Sequence, residues 1–557
     1  MNIIFVGKLS LYVFFASIFI YLLSFLGFLR PETEVFGFFL LITTLIGLSF
    51  WKIEYGLLFL IFEFLAGIDG HLFEFKSISI RFALFAVFMF IWLIQKLWNF
   101  KTLKTQIKNF TKSFFFKSFA FALFFIALAG ILGIIRGNSF NLILADLICY
   151  SYLLLIFPFF DLIFNNKQQV SPVKKHDSSM ACVDESDLYN NHQPKSMVFL
   201  NRVKKIFQIF SGTIMATSAL TITTLYLFSS HSAIHGGIYY QWFREYIIGK
   251  IATMNNNFFR VVMSSDILTL VFFLIITSIL LFALENKIFK NKKYWINTQL
   301  PWLIFLGILT SSVLIISFTR NFLIGFIISF IFLCLILKIP LKRKIIFSVC
   351  LIIIFLLESS LIFYLCNHKS VQTNFLFLGN RIETIFTPET EASAISRLER
   401  LDASLKKFKE HPILGSGVGS EIVAYDYAIQ KIIKTPHIDW GYLENWIELG
   451  LFGFLSYLWF LGILFWQGVK AVYYSTDNCD FYLGILIGLF CLFVIHIFGP
   501  FLFYPTSIFY ILLCLMLFTN AINVKCTLLN SCSDDYRNLA KRDKANLTGQ
   551  ETQNAKD

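Results

Sequence analysis

The sequence predicts an all-α polytopic membrane protein with about fourteen transmembrane helices and one large helical loop on the outer side of the membrane. Three observations support this fold class. The 557 residues are 57% hydrophobic and 18% aromatic, with 69 phenylalanines and a mean hydropathy of +0.70, more apolar surface than a soluble domain can bury. Apolar runs long enough to cross about 30 Å of hydrocarbon recur along the chain. Short basic segments separate these runs.

The apolar runs define the predicted helices in order. Their first residues lie near 9, 34, 56, 78, 115, 140, 206, 265, 298, 321, 345, 446, 481 and 501. The first run has a charged start and no small-residue cleavage site, which predicts a retained helix. The third, GLLFLIFEFLAGID, is short and carries Glu63. If it were re-entrant, every later helix would change sides.

The basic residues between the runs predict the orientation. Four basic loops fall on one side if the helices alternate, and this agreement argues against a re-entrant third run. By the positive-inside rule that side is the cytoplasm, with both termini inside. The net charge of +13 is therefore attributed to basic residues that fix the orientation in the membrane, and not to a binding site for a polyanion. The loops are marked by Lys101, Lys104, Lys108 and Lys112; Lys174, Lys175, Lys195, Arg202, Lys204 and Lys205; Lys287, Lys290, Lys292 and Lys293; and Lys338, Lys342, Arg343 and Lys344.

Composition divides the chain into four parts. Residues 1–366 hold helices 1–11, interrupted by a polar segment at about 165–205 that is predicted to be a disordered cytoplasmic loop. Residues 367–443 form the outer loop, 444–524 hold helices 12–14, and 525–557 are a cytoplasmic tail. The ten cysteines lack CxxC spacing, so neither a metal site nor a disulfide framework is indicated. The sequence shows no internal repeat, which leaves an inverted-repeat transporter without support.

The outer loop is predicted to contain an amphipathic helix at about 395–410. Ser396 and Glu399 fit a capping box, and the His411-Pro412 pair ends the helix. A cationic strip along it could hold lipid diphosphates, or could only contact anionic headgroups. The apolar face comprises Ile395, Leu398, Leu401, Leu405 and Phe408, and the cationic face comprises Arg397, Arg400, Ser404 and Lys407.

The segment GSGVGS follows this helix and imitates a phosphate-binding loop. It has no following Lys-Ser/Thr, no G-x-x-G step and no preceding strand, so nucleotide binding is excluded. Gly415, Gly417 and Gly419 are instead expected to adopt positive φ and to pack closely where the chain returns to the membrane.

Acid–base candidates follow in TPHIDWGYLENWIELGLFG. His437 has an ordinary pKa near neutrality and could accept a proton from an attacking hydroxyl, or could be simply solvated or structural. Asp439 and Glu444 are possible orienting groups, and Glu448 shares a helix face with Glu444. A bound metal is not implied, because His, Cys and Asp do not cluster at ligand spacing.

Two arginines lie at the outer ends of predicted helices. Arg320, in LIISFTRNFLIGF, separates two apolar runs, and Arg136 lies in GIIRGN. A guanidinium in this position needs a partner, which could be a diphosphate or, by snorkelling, the interface itself. Other charges within or near predicted helices could form ion pairs or have a function, and stay unassigned: Glu63, Arg81, Asp146 and Glu358.

The ordered set SFTRN, SRLERLDASLKKFKEHPILGSGVGS and PHIDWGYLENWIELGLFGFL resembles the bacterial O-antigen ligase and O-antigen polymerase superfamily over roughly residues 300 to 465. Members carry a membrane arginine in a Ser-Arg-Gly context, then "R..lW..al....hPl.G.G.g", then "H..n.yle...e.GllG". Here the first context reads Thr319-Arg320-Asn321, and Leu401 stands in place of the usual tryptophan, which weakens any claim of carbohydrate stacking there.

The resemblance implies a membrane glycosyltransferase of the multi-span type called GT-C, in the bacterial inner membrane with its active site facing the periplasm. The donor would be a glycan on undecaprenyl diphosphate, and the acceptor the lipid A core for a ligase or another lipid-linked glycan for a polymerase. No cofactor, metal or nucleic acid is needed. Arg320, with Arg397 or Arg400 and with Arg136, would bind the donor diphosphate.

The histidine of the third motif corresponds to His437, which would orient or deprotonate the acceptor hydroxyl. Asp439 or Glu444 would orient it. A lipid-linked oligosaccharide flippase or another membrane transporter is the alternative, since about fourteen helices would suit it equally. The large ordered outer loop argues against a flippase. The sequence does not choose between ligase and polymerase.

Overall fold

The computed structural model describes residues 5–98, 114–164, 195–230, 237–253, 259–283, 293–337, 339–367, 392–427, 430–436, 438–475 and 479–523. In the first part of the chain these contain helices α1 (Lys8–Leu29), α2 (Pro31–Trp51) and α3 (Ile53–Ala66), strands β1 (Glu74–Phe75) and β2 (Ile78–Ser79), and helices α4 (Ile80–Trp98), α5 (Phe114–Ile135) and α6 (Phe140–Ser151). A 3-10 turn (Tyr152–Leu155), α7 (Ile156–Phe164) and α8 (Lys195–Ser230) follow.

The second part begins with α9 (Ile238–Glu245) and the hairpin of β3 (Lys250–Thr253) and β4 (Phe259–Val262). Four helices follow, α10 (Asp266–Ala283), α11 (Lys293–Ser317), α12 (Arg320–Ile336) and α13 (Leu341–Asn367). The outer loop contributes α14 (Ala392–Glu410), β5 (Ile422–Asp426) and β6 (Lys431–Thr435). The chain ends with α15 (Gly441–Tyr474), α16 (Cys479–Ile495), two 3-10 turns (His496–Phe498 and Phe501–Phe503) and α17 (Pro505–Asn523).

The fold class is confirmed: this is an all-α polytopic membrane protein. Within the described residues, 12 helices are long and apolar enough to cross a membrane. Two further predicted runs form shorter apolar helices, α3 with 14 residues and α12 with 17. Every predicted run therefore folds as a helix or a helix pair, but α3 and α12 are shorter than a straight crossing of about 30 Å requires.

Side-chain contacts define two ends of the helix bundle. At one, which we call the basic end, Arg202 of α8 pairs with Glu54 of α3 at 3.1 Å, and Lys96 of α4 pairs with Asp161 of α7. At the other, which we call the loop end, Glu34 of α2 accepts hydrogen bonds from the Glu74 N–H and the Tyr246 hydroxyl. Helix α3 begins at the basic end, and the chain that follows it reaches the loop end at Glu74, so this part of the chain crosses the bundle and does not turn back.

The most buried helices of the described part of the bundle are α8, α10, α16 and α17. Of the apolar window of α10, 83% is buried, against 11% for α13, which places α13 at the periphery. Helices α10 and α16 approach closely at Gly484, where a Cβ would lie 3.1 Å from the Cα of Ile275. Small residues at such crossings allow backbone packing, which drives helix association in lipid.

Two features depart from the predicted organisation. The described part of the predicted loop at 165–205 is helical, since α8 begins at Lys195; Phe199 and Val203 are buried one turn apart, and this packing extends the helix. The described residues also contain three two-stranded antiparallel hairpins, β1–β2, β3–β4 and β5–β6, which the sequence did not predict. Residues 165–194 and 525–557 lie outside the described residues.

Candidate functional site

The described part of the outer loop forms a small module on the first turns of α15. Its core is a separate apolar cluster of Ile422, Ile438 and Ile447, with Ala403, Phe408, Trp440 and Leu443 packed against it. Helix α14 and the β5–β6 hairpin therefore rest on the start of α15. The register pairs Ile422 with Thr435 and Asp426 with Lys431.

Helix α14 packs partly through the face that was predicted to be cationic. Ser396 and Ser404 are buried, while Leu398 and Leu405 of the predicted apolar face are 49% and 42% exposed. Phe408, also of that apolar face, packs against the core of the module. The predicted capping role of Ser396 is also wrong, because the helix begins at Ala392. The Ser396 hydroxyl instead donates to Asp426 and accepts from the Tyr427 N–H. These polar contacts with the hairpin orient the helix.

Arg400 joins the hairpin to the segment before α15. Its Nη1 donates to Asp439 Oδ2 at 2.6 Å, and its Nη2 donates to Asp426 Oδ2 at 3.3 Å. All three side chains are largely buried, with exposures of 20%, 24% and 13%. Arg397, three residues earlier on α14, is exposed.

The glycine segment 415–419 uses its backbone N–H groups internally. The Gly415 N–H donates to the His411 carbonyl, and the next three donate to the carbonyls of Ile447, Glu448 and Ala129. The Gly419 N–H donates to Asp146 Oδ2 at 2.9 Å. A phosphate-binding loop requires free N–H groups aimed at the ligand. Since these five are occupied, the segment is a structural turn, as the sequence predicts.

Positive φ and close packing explain the three glycines. Gly415, Gly417 and Gly419 have φ values of 76°, 80° and 73°. A Cβ on Gly417 would lie 2.3 Å from the Gly133 nitrogen, and one on Gly415 would lie 2.3 Å from the Gly450 nitrogen. Gly450 has φ 70° and breaks α15. The turn therefore packs between the end of α5 and the break in α15, with direct contacts between backbone atoms that leave no room for a side chain.

Asn138, in the connection between α5 and α6, holds the same turn. Its Nδ2 lies 3.1, 3.4 and 2.9 Å from the carbonyl oxygens of Ser416, Gly417 and Val418. Arg136 precedes it by two residues and is half-buried. The structure thus places Arg136 beside the outer-loop module, although the two are far apart in sequence. Asn138 was missed by sequence reasoning, because nothing local indicates a partner 278 residues away.

A carboxyl cluster lies under the turn. Asp146 of α6 and Glu448 of α15 share a hydrogen bond, and both accept from the Gly419 N–H. Two carboxyl groups can share a hydrogen bond only when one is protonated. Glu444, one turn earlier, accepts from the Ile438 N–H. Asp146 and Glu448 were noted in the sequence without a role, and only the packing of α6 against α15 brings them together.

The other charges near helices are mostly paired. Arg81 and Glu63 form a buried ion pair at 3.2 Å, and the Arg81 guanidinium also donates to the Ile68 carbonyl. Ser311 donates to Glu358 at 2.6 Å. One of the two interpretations left open for these residues, an ion pair, therefore applies to Glu63 and Arg81.

Arg320 is the first residue of α12, at the loop end. The next residue, Asn321, donates to the Phe498 carbonyl. Two residues before Phe498, His496 lies 3.4 Å from the amide of Asn445 on α15. These contacts place the start of α12 next to the start of α15. The helix dipole adds positive potential where Arg320 lies.

The predicted site residues thus fall at one end of the bundle. The four arginines belong to three segments: Arg397 and Arg400 lie on α14, Arg136 lies in the α5–α6 connection that holds the glycine turn, and Arg320 begins α12, which contacts the 3-10 turn at Phe498. His437 lies outside the described residues, so its geometry is not part of this site. The described residues contain no group of three or more His, Cys, Asp or Glu side chains that could hold a metal ion.

The fold and the site define a polytopic membrane protein with arginines and a compact outer-loop module at one end of its helices. Residues 305–458 match the Wzy_C family model, described as O-antigen ligase. This match confirms the predicted resemblance to the O-antigen ligase and polymerase superfamily. No curated protein and no solved structure matches the chain.

Proposed function

We propose that this protein transfers a glycan from undecaprenyl diphosphate to an acceptor on the outer face of the bacterial inner membrane. It would act as an O-antigen ligase, with lipid A core as acceptor, or as a polymerase, with a second lipid-linked glycan. The observation that carries this proposal is the match over residues 305–458, which contain Arg320, the outer-loop module and Glu444. The start of α12, with Arg320, and the start of α15, with Glu444, are linked through the 3-10 turn at His496–Phe498.

The donor diphosphate is assigned to Arg320, Arg397 and Arg136. Guanidinium groups give planar, bidentate hydrogen bonds to phosphate oxygens. Arg320 combines this chemistry with the N-terminus of α12, and Arg397 is exposed on α14. Arg400, the alternative to Arg397, is occupied by Asp426 and Asp439. Arg397 is therefore the residue of α14 that we assign to the donor.

The transfer itself forms one bond and breaks one. The acceptor hydroxyl oxygen bonds to the anomeric carbon, the bond from that carbon to the phosphate oxygen breaks, and undecaprenyl diphosphate leaves with the electron pair. The arginines stabilise the charge that develops on this leaving group. His437 accepts the hydroxyl proton, with Asp439 or Glu444 as orienting groups. The diphosphate linkage already activates the sugar, so the scheme involves no nucleotide sugar.

The test replaces His437 by Ala in cells and resolves the surface lipopolysaccharide on a gel. Loss of glycan transfer with normal membrane levels of the protein supports the proposal, and unchanged transfer contradicts this mechanism. Deletion of the whole gene distinguishes ligase from polymerase activity. Loss of a polymerase leaves core with a single repeat unit, whereas loss of a ligase leaves bare core and accumulated lipid-linked polymer.

A flippase would behave differently in sealed vesicles. It would move trapped lipid-linked donor across the membrane without an acceptor, whereas the proposed transferase would not. Donor movement that persists in the His437→Ala variant and needs no acceptor would therefore contradict the transferase.

A further inference from the structure

Helix α14 presents an apolar stripe away from the protein. Leu398 and Leu405 are seven residues apart, so they point within about 20° of each other. Both are substantially exposed, and the following Ile413 and Leu414 are 55% and 51% exposed. The packed side of the same helix holds Ser396, Arg400 and Ser404 together with Ala403 and Phe408. Four large apolar side chains in one continuous segment therefore keep about half of their surface exposed.

The end of this stripe lies at the level where α15 enters the membrane. The 34 residues of α15 would span about 51 Å, well beyond the hydrocarbon thickness of about 30 Å. The 24 residues after the break at Gly450 span about 36 Å and suffice for the crossing. The Leu451 N–H bonds to the carbonyls of Pro412 and Ile413, so Ile413 is level with the break. The exposed stripe is thus continuous with the membrane boundary.

The end of α5 independently indicates how deep the glycine turn lies relative to the membrane. The Val418 N–H donates to Ala129, and a Cβ on Gly417 would contact Gly133, two residues before α5 ends at Ile135. A helix of 22 residues spans about 33 Å, so its final turn lies near the hydrocarbon edge. Two helices therefore place the glycine turn, and the C-terminal end of α14, at that edge.

The charges of α14 suit an anionic lipid surface. Residues 395–410 carry five basic and three acidic side chains, a net charge of +2. Lys406 pairs with Asp402 and Lys407 with Glu410, each within the helix. The exposed residues Arg397 and Lys409 flank the leucine stripe. Apolar side chains bordered by basic ones are typical of helices that lie in a membrane interface.

We infer that α14 docks on the outer leaflet of the membrane, with Leu398, Leu405, Ile413 and Leu414 inserted among the lipids and the flanking basic residues on anionic phospholipid headgroups. The inference rests on the membrane fold, on these exposures and on the orientation predicted from the basic loops, not on the proposed activity. Combined with that activity, it places Arg397, next to Leu398, at the depth of lipid phosphates. A lipid-linked diphosphate would lie at this depth.

The test incorporates a benzophenone amino acid at position 405 of the full chain, in nanodiscs of phosphatidylglycerol and phosphatidylcholine. The matched control carries it at position 410, because Glu410 is exposed and lies about 140° around the helix from Leu405. After irradiation, mass spectrometry of the intact protein should show at least fivefold more lipid adduct at 405 than at 410. Position 398 serves as a second probe if the variant at 405 does not fold.

Other occupants of the stripe give other products. Equal lipid adducts at the two positions, a cross-link from 405 to another segment of the same chain, or a covalent dimer would each overturn the inference. Discs of phosphatidylcholine alone should lower the adduct at 405 at least twofold, and an unchanged yield would contradict the role of the basic residues. Glycan transfer measured in the same discs is a separate readout, so loss of the proposed function would not be mistaken for loss of docking.

Discussion

Arg400 Nη1 lies 2.6 Å from Asp439 Oδ2 and ties helix α14 to the segment that precedes α15. The same guanidinium reaches Asp426 in β5. Three segments of the outer loop therefore share one cation. Asp439 is two residues after His437 in the sequence. The ion pair therefore constrains the position of the segment before α15, which contains the proposed proton acceptor. We expect Arg400 to be a positioning residue and Arg397 to be a donor-binding residue.

Exchanging each arginine for Gln should separate these two roles. Arg397→Gln is expected to raise the KM for lipid-linked donor about tenfold, the effect of losing about 1.4 kcal/mol of binding. Arg400→Gln should lower kcat and thermal stability with little change in donor KM, because hydrogen bonds between charged groups are worth about 1.5–3 kcal/mol. Steady-state kinetics with purified donor measures both.

The controls for the arginines lie on the same module. Lys434→Gln removes an exposed charge of β6, whose surface ion pair with Glu421 contributes little, and should change neither constant. Asp439→Asn should have a smaller effect of the same kind, because the contact between Arg400 and Asp426 remains. The double variant should be no worse than Arg400→Gln, since that substitution already removes the contact with Asp439. A donor KM that rises in Arg400→Gln would instead place Arg400 on the diphosphate.

Gly417→Ala should destabilise the protein far more than Gly137→Ala. Both glycines have positive φ, 80° and 75°, which costs an alanine about 1–2 kcal/mol. At Gly137 a Cβ meets nothing within 4 Å, whereas at Gly417 it would overlap the Gly133 backbone. Thermal unfolding in detergent, followed by fluorescence-detected size-exclusion chromatography, measures the difference. Equal shifts in Tm would show that φ alone requires the glycine.

Asn138→Ala should loosen the outer-loop module without unfolding the bundle. The substitution leaves three carbonyl groups of the turn without their amide donor, at a cost of about 1–3 kcal/mol. Limited proteolysis of residues 411–440 should become faster. Ser139→Ala is the matched control, because the Ser139 side chain makes no capping hydrogen bond to α6. If the loss of Asn138 left the proteolysis rate unchanged, its hydrogen bonds to the turn would not be what holds the outer-loop module in place.

Asp69, in the connection between α3 and β1, should make stability depend on pH. Burial raises its pKa above the ordinary value, an effect that the hydrogen bond with Ser264 and the nearby Arg81 and His71 only partly offset. The folded state then binds more protons than the unfolded state, so Asp69 stabilises the fold below its ordinary pKa. This contribution is lost as pH rises through the folded pKa. Thermal unfolding of wild type and Asp69→Asn between pH 4 and pH 8 measures the effect.

The comparison of pH profiles needs a substitution that removes the ionisable group of Asp69 without changing the size of the side chain. Asp69→Asn keeps the shape and removes the ionisable proton, so its Tm should fall less than that of wild type as pH rises. His71→Gln controls for the neighbouring imidazole. A parallel pH profile for wild type and Asp69→Asn would show that Asp69 does not contribute.

The transmembrane helices could be predicted because each is encoded by a local run of apolar residues. All fourteen predicted runs fold as helices or helix pairs, and the glycines of the turn have the positive φ that their spacing predicts. The hairpins were missed because strands of five residues, such as IVAYD and KIIKT, alternate too briefly to be distinguished from loop.

The sequence by itself determined the membrane class, the helix order and the family resemblance, because hydrophobic length and short motifs are local properties. The tertiary structure decided which face of α14 packs, which arginine is occupied by Asp439, and which carboxyl groups meet beneath Gly419. Those outcomes depend on pairs such as Asn138 with Val418 and Asp146 with Glu448. Such partners are hundreds of residues apart, and only the packing of helices brings them within hydrogen-bond distance.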